Sequence, residues 1–559
     1  MTRNLYSAIM PMIPALLLVC AFAGTSAAQD LSAHDLVGAI DEYFSEKIPA
    51  EGPGAVVLAI KDGEIILRKG YGMANIELGV RMTPNMVFRI GSITKQFTAA
   101  CIMMLTEEGK ISLNDEITKF IPDYPTGGNK ITIHNLLNHT SGIKSYDDIS
   151  DYYSTIRDDL EPDELVNLFK NEPMDFRPGE QFRYSNSGYF LLGIIIERIS
   201  GKTFEEYVNE RIFRPLGMKN SNHGNHGCII PNRAAGYQQA DTGFVNADYL
   251  SMTQFTANGS LLSTADDLWT WTKALFSGKL LSQESLRLMT TPAVYAGGKT
   301  QDYGYGLWLK PLFGEKSISH NGGINGFLTY VIYLPEKDIF VAVLTNALAV
   351  VNAPFMGEWT AALLCGKDVL RKPAITLDNA IIDGIEGIYE ISEGVDLAIT
   401  REGNSIYSQK TNSQRVEVFA SSPTEFFYKD SFSHFSVVRE ESGKVTKIIM
   451  HASGPDEEAI MTDRIPEKTT VIALDAGEFA PYVGTYVSED GMEITIIQNE
   501  GKFYAQLGDQ PKFEIFPKSQ NTFFFTVAEA TLEFISNAQG KVIGLTLSQG
   551  GRNLEMKRK

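Results

Sequence analysis

Phe88-Arg89-Ile90-Gly91-Ser92-Ile93-Thr94-Lys95-Gln96-Phe97 reads as an extended approach that ends at Gly91 and a helix that opens at Ser92. Beyond it Phe97, Cys101, Met104 and Leu105 fall on one face at helical spacing, and Gly109 stops the run. Ser92 and Lys95 are three apart, so on a helix their side chains stand side by side. A hydroxyl becomes a nucleophile when a neighbouring base takes its proton, and a lysine whose pKa is lowered by burial near other cations is such a base. A helix N-terminus adds free N–H groups and a dipole that favour an oxygen turning anionic. Alone, Ser-x-x-Lys is a weak signal, and an ordinary N-cap at Ser92 or Thr94 accounts for it as well. A second copy, Ser141-Gly142-Ile143-Lys144, has a glycine inside it and no amphipathic run behind it, and reads as loop.

Working outward, a helix is expected near Leu36–Ile48, followed by a hairpin of 54–60 and 64–69 around the two-residue turn Asp62-Gly63. Downstream, Tyr184 and Asn186 stand two apart just before an apolar helix from Phe190 to Ile199, so in an extended segment a phenol and an amide face one cavity. The rival pair Tyr207 and Asn209 lies inside a helical pattern, where two residues are about 200° apart, and cannot share a site. Ala257 to Leu268 reads as turn, Ser/Thr cap and helix through Phe276, and Tyr303–Trp308 as strand. His320 is the one of the 8 histidines followed two residues later by glycine; Gly322 there would let a substrate backbone approach a strand. A second hairpin joins 327–334 to 339–345. His139 reads as a structural hydrogen-bonding residue, with a catalytic base as the alternative. His223, His226 and Cys228 share a polar loop but lack partners at ligand spacing, so no metal is expected.

Residues 1–28 carry one charge, Arg3, a short apolar core and the small residues Ser26-Ala27-Ala28, the form of a secretory signal peptide. A lipid anchor at Cys20 is the second choice, since Val19 stands where a small residue is preferred. No later stretch is long and apolar enough to span a bilayer. Export places the mature chain outside the membrane or in the periplasm. A formal net charge of −19, without a basic cluster, excludes nucleic acid as a natural partner. Cys101, Cys228 and Cys365 are far apart and odd in number, so a disulfide framework is not expected.

Ser92-x-x-Lys95, Tyr184-x-Asn186 and His320-x-Gly322, in that order, resemble the penicillin-recognising serine hydrolases. The resemblance is to the branch holding class C β-lactamases, D-aminopeptidases, serine DD-peptidases and β-lactamase-like esterases. Leu136-Leu137-Asn138-His139-Thr140-Ser141-Gly142 and Ile212-Phe213-Arg214-Pro215-Leu216-Gly217-Met218 also look like family segments, and the likeness runs from about Phe44 to Asn346. It implies an α+β domain over 29–370, an antiparallel sheet flanked by helices with a mostly helical subdomain. It also implies Ser92 as nucleophile, Lys95 as its base partner and Tyr184 as proton shuttle to the leaving group. Asn186 would hold a substrate carbonyl, and His320 would orient Tyr184 or meet a substrate carboxylate. The amides of Ser92 and Gly323 would receive the oxyanion. Whether Lys95 or Tyr184 is the acylation base stays open. His320 stands where the family often has lysine, which turns the expectation from β-lactamase toward aminopeptidase or esterase. The expected reaction is cleavage of amides next to D-amino acids, in small peptides or peptidoglycan fragments. A carboxylesterase and a non-catalytic peptidoglycan- or peptide-binding protein are the alternatives. No cofactor is implied, and the oligomeric state is open.

Past Lys372-Pro373 short alternating strands take over. Gly387-Ile388-Tyr389 recurs as Gly484-Thr485-Tyr486, Phe426-Phe427 as Phe523-Phe524, and Gly443-Lys444-Val445 as Gly540-Lys541-Val542, always 97 positions on. A constant offset in three segments predicts two copies of one β unit, at 378–466 and 475–559, each long enough for a closed barrel of about eight strands. This resembles the D-aminopeptidase arrangement, a catalytic domain followed by two lipocalin-type barrels. The barrels are either structural covers or carry a loop over the Ser92 cleft.

Overall fold

The computed structural model describes residues 33–559 except 150–151, 241–242, 349–350, 370–373, 412, 414, 453–455, 466–471, 473, 489–490, 500, 509–511, 526–529 and 550–551. The expected signal peptide and Cys20 lie outside the described residues. Among these, no helix is long and apolar enough to cross a membrane.

The elements that position Ser92 are α1 (Ala33–Lys47), β1 (Ala55–Lys61), β2 (Glu64–Tyr71), α2 (Thr94–Glu107), α3 (Asn186–Ser200), β3 (Ile318–Ile324), β4 (Phe327–Leu334), β5 (Ile339–Thr345) and α4 (Ala353–Leu364). The strands form one antiparallel sheet in the order β3-β4-β5-β1-β2. Asp62 and Gly63 both take positive φ, 52° and 77°, which a two-residue turn matching the strand twist requires. β1 and β5 are apolar on both faces because both are covered. Val56, Leu58, Phe340, Ala342 and Leu344 pack toward α2. Val57, Ala59, Val341 and Val343 pack against α1 and α4.

α2 departs from the one-faced helix read from its spacing. Every residue from Thr94 to Leu105 is buried, because the helix runs between the sheet and the helical subdomain. Its polar residues are therefore satisfied internally: Trp271 Nε1 donates to Gln96 Oε1 at 3.0 Å, and Thr94 Oγ1 accepts from the Leu261 amide at 3.1 Å. Tyr303–Trp308 is not a strand. It is a bent loop, with Gly306 at φ +69°, pressed so closely on α2 that a methyl at Gly306 would lie 2.6 Å from the Lys95 carbonyl oxygen. Leu261–Ser263, expected within a turn, is a short strand between Phe88–Arg89 and Asn222–His223. The helix after it, Ala265–Phe276, is capped by Thr264 as read.

The tail is two closed eight-stranded barrels, Gly387–Met461 and Gly484–Arg558. The repeat extends to their plugs. Ile382 on the helical turn Asn379–Asp383 and Phe479 on Ala476–Phe479 stand 97 positions apart, and both are buried. Tyr389 donates to the Ile385 carbonyl at 2.6 Å, and Tyr486 to that of Tyr482 at 2.7 Å. Both interiors are filled with apolar side chains, as in barrels of this strand number. Barrel 1 inserts Phe432 between Phe313 and Phe355, with ring centroids 5.0 and 4.9 Å away, and Asp430 pairs with Lys47 at 3.1 Å. This contact is on the α1/α4 layer, the sheet face opposite Ser92.

Candidate active site

Ser92 sits in a single 3₁₀ turn, Gly91–Ile93, that runs directly into α2. Lys95, one helical turn on, is fully buried. Its Nζ lies 3.0 Å from Ser92 Oγ, 2.8 Å from Asn186 Oδ1 and 2.8 Å from the Asn258 carbonyl oxygen. Burial pulls the lysine's pKa down to about 7, and the Asp147 carboxylate pulls the other way. The neutral amine has two N–H bonds and one lone pair. Asn186 Oδ1 and the Asn258 carbonyl take the two hydrogens, so the lone pair is left facing the Ser92 hydroxyl. That is the geometry of a general base on a nucleophile.

Tyr184 covers the other side. Lys95 Nζ is 4.8 Å from its ring centroid. Burial raises the phenol's pKa, and a hydrogen bond with Ser92 acts the other way. Near neutral pH Tyr184 is therefore a phenol that can give a proton, and Lys95 is the group ready to accept one. Tyr184 and Asn186 both meet Lys95, as their spacing predicts for one shared site, although Asn186 is already the first residue of α3 and Ser185 its cap.

His320 is buried, and burial brings its pKa down to about 3, so the imidazole is neutral. Its Nδ1 lies 2.7 Å from the Asn321 carbonyl oxygen, so Nδ1 carries the hydrogen. Nε2 then accepts from the Tyr303 hydroxyl at 3.1 Å. Its hydrogen-bonding atoms go to Tyr303 and Asn321, and it meets Tyr184 only as a ring neighbour, 6.3 Å between centroids.

Gly322 is a correction to the sequence reading. A methyl there would lie 1.9 Å from the Ile90 carbonyl oxygen, so the glycine admits the chain's own backbone and not a substrate's. Gly323 is exposed, with nothing closer to its missing side chain than Leu348 at 4.0 Å. A methyl on Gly91 would lie 3.0 Å from Gly323 N, which puts the Gly323 amide beside the peptide that leads into Ser92. A carbonyl oxygen turning anionic at Ser92 has the amide of Ser92 itself and this strand-edge amide to receive it, since the Ile93 and Thr94 amides are already bonded to the carbonyls of Ile90 and Gly91.

Comparison with known proteins gives the family. The Beta-lactamase family model matches residues 42–362, more than half of the chain. The chain belongs to the Beta-lactamase family. A domain of unknown function, DUF3471, matches 468–558, the second barrel. Among relatives of this Beta-lactamase-family chain, penicillin-binding protein 4* of Bacillus subtilis is 29% identical over 452 residues, covering 75% of this chain and 97% of that protein. The octameric penicillin-binding protein homologue from Pyrococcus abyssi is 29% identical, with a TM-score of 0.56 over 76% of this chain and 99% of its own. A D-amino acid amidase from Ochrobactrum anthropi SV3, solved with L-phenylalanine amide, is 27% identical, with a TM-score of 0.50 over 56% of this chain and 92% of its own. The family is one of serine hydrolases of the β-lactamase and penicillin-binding-protein type, and the fold read from the sequence is the fold of this Beta-lactamase-family chain.

The structure adds site residues that the sequence does not mark. Asp147 accepts from Asn186 Nδ2 at 2.9 Å and from the Ser145 hydroxyl, and Ser145 Oγ accepts the Asn186 amide at 2.8 Å. The 145–147 turn thus fixes which end of the Asn186 amide faces Lys95. Asn258 anchors its own helical turn, Thr256–Gly259, through Nδ2, 2.6 Å from the Tyr146 hydroxyl. Tyr303, which holds His320 Nε2, carries no sequence signal beyond its place in an aromatic run. His139 takes the structural role: at φ +60° its Nδ1 accepts the Ser185 amide at 3.1 Å, and its ring lies 4.2 Å from that of Tyr184. His226 bonds the Leu250 carbonyl at 3.0 Å, His223 lies 3.7 Å from Glu205, and Cys228 is exposed. Ser141–Lys144 is loop, and Lys144 pairs with Glu172 at 3.6 Å.

Proposed function

We propose that this chain is an exported serine hydrolase that acts through an acyl-enzyme on Ser92 and cleaves amides next to D-amino acids in small peptides. The observation that carries the reading is the buried Lys95, its two hydrogens engaged by Asn186 and Asn258 and its lone pair 3.0 Å from Ser92 Oγ. In the proposed sequence Lys95 takes the Ser92 proton as Oγ attacks the substrate carbonyl, and the Ser92 and Gly323 amides hold the oxyanion. Tyr184 passes a proton to the departing amine, and water then releases the acyl group. Asn186 receives a substrate carbonyl through the Nδ2 hydrogen that Asp147 leaves free. The D-amino acid amidase and penicillin-binding relatives support the amide class. The neutral His320 offers no positive charge of its own to the carboxylate of a penicillin, which fits the amide reading. The same neutrality favours a carboxylesterase as the second reading.

Intact-mass measurement after brief mixing with a nitrophenyl ester, a D-alanine amide and a penicillin tests the proposal, with turnover followed in parallel. The expected result is turnover of the D-alanine amide and an acyl adduct, both absent in Ser92→Ala. Ester turnover alone would establish the second reading. Adduct formation that survives Ser92→Ala would overturn both.

A further inference from the structure

Arg89 stands three residues before Ser92 on the short strand Phe88–Arg89. Phe88 points into the core, its ring 6.3 Å from that of Phe327, so Arg89 points to the opposite face. On that face Val87, Leu262 and Ile230 form a small apolar floor. Arg233 joins it there: the Val87 amide donates to the Asn232 carbonyl at 2.9 Å, and the Ala234 amide to that of Val87 at 3.0 Å, which pairs Arg233 with Val87 in parallel. Tyr249 borders the pair, and Arg157 lies 5.9 Å from its ring. The loop carrying Tyr249 reaches the cleft, because Asn325, two residues past Gly323, donates to the Asp248 carbonyl at 3.2 Å.

Neither Arg89 nor Arg233 has a hydrogen bond or ion pair with any described residue. Asp248, beside Tyr249, accepts from Gln238 at 3.0 Å and from neither arginine. In a chain of net charge −19, two adjacent cations without an acid partner among the described residues are unexpected on electrostatic grounds. Burial and the charge of Arg233 bring the Arg89 pKa down to about 10, so the bare pair carries a cost that a bound anion would offset. A guanidinium fork matches a carboxylate through two parallel hydrogen bonds. Three residues of chain span at most about 10 Å, and a dipeptide spans about 7 Å, so one small peptide can touch both places.

We propose that Arg89 and Arg233 form a carboxylate-binding subsite beside Ser92, and that the preferred substrates are small peptides bearing an acidic group. The substrate class rests on the hydrolase reading above; the subsite itself rests on the arginines. It also places the recognition of a carboxylate away from the neutral His320.

The test is isothermal titration of the full chain carrying Ser92→Ala with two matched pairs: D-alanyl-D-glutamate against D-alanyl-D-glutamine, and D-alanyl-D-alanine against its C-terminal amide. At least one carboxylate is expected to bind ten-fold or more tightly than its carboxamide partner. That ratio is expected to collapse toward one in Arg89→Gln and in the exposed-site variant Arg233→Gln, and to persist in part in Arg89→Lys. Equal binding within both pairs, no binding of any probe, or a ratio that survives both glutamine variants would overturn the subsite. Turnover of the same peptides by the unmodified chain separates the two readings. Discrimination without turnover removes the hydrolase reading and keeps the subsite; turnover without discrimination removes the subsite alone.

Discussion

Ser92 lies 3.0 Å from Lys95 Nζ in the cleft, and Ser436 lies 2.8 Å from His451 Nε2 on the outside of barrel 1. The second arrangement even has an acid in line, with Asp456 2.8 Å from His451 Nδ1. By distance alone Ser436 looks the better equipped. The difference lies in what surrounds each hydroxyl. Ser436 is in the middle of a strand paired on both sides, with Glu425 and with Ile449, and the next amide, Val437, is already bonded to the Thr424 carbonyl at 2.8 Å. No amide is left over for an oxyanion, and a Glu425 oxygen 3.2 Å from Ser436 Oγ would repel one. Ser92 stands at a helix start with its own amide unspent, beside a lysine amine that the fold has stripped of water. Hydrogen-bonded triads are cheap to form on a sheet surface; unspent donors at a desolvated base are not.

The largest effect expected from this contrast is on rate. Ser92→Ala should cost roughly 10⁴-fold or more in hydrolysis of the D-alanine amide. Ser436→Ala should leave the same assay unchanged, and a loss there would break the contrast. Next comes stability at the point where β3 presses on the Ser92 turn. Gly322→Ala forces a methyl onto the Ile90 carbonyl and should lower denaturant stability of the catalytic domain by about 3 kcal/mol. Gly323→Ala meets open space and should cost under about 1 kcal/mol.

The acids sharpen the comparison further. Asp147 raises the pKa of Lys95, and a base must be neutral to work, so activity should rise with pH through about 7. Asp147→Asn removes an opposite charge, lowers the lysine's pKa, and should move that acid limb down by about one pH unit. Asp456→Asn, on the barrel, should not move the profile. A limb that moves upward in Asp147→Asn would show that the carboxylate does not act on Lys95 in this sense. The smallest effect is expected within the barrels: Tyr389→Phe and Tyr486→Phe each remove one plug hydrogen bond and should each cost about 1 kcal/mol by barrel unfolding, without touching Ser92 turnover.

Much of this protein is legible from its sequence because the signals are local. Asp62-Gly63 demands a tight turn, Thr264 caps its helix, Ser92 and Lys95 meet because they are one helical turn apart, and the 97-residue offset repeats two barrels strand for strand. The charge state of Lys95 is another matter. Its acceptors, Asn186 and Asn258, lie 91 and 163 positions away, and its burial depends on helices and a loop packed round it on all sides. Asp147 behind Asn186, Tyr303 on His320 and the pairing of Arg89 with Arg233 are likewise decided by chain segments that meet only in the folded state. Periodicity and turn chemistry are properties of a few consecutive residues, so the sequence alone determined most of the helices, hairpins and barrel strands and the side-by-side placement of Ser92 and Lys95. Desolvation and through-space charge depend on what packs around a group, so only the tertiary structure decided that the Lys95 pKa falls to about 7 and that two arginines stand without an acid among the described residues.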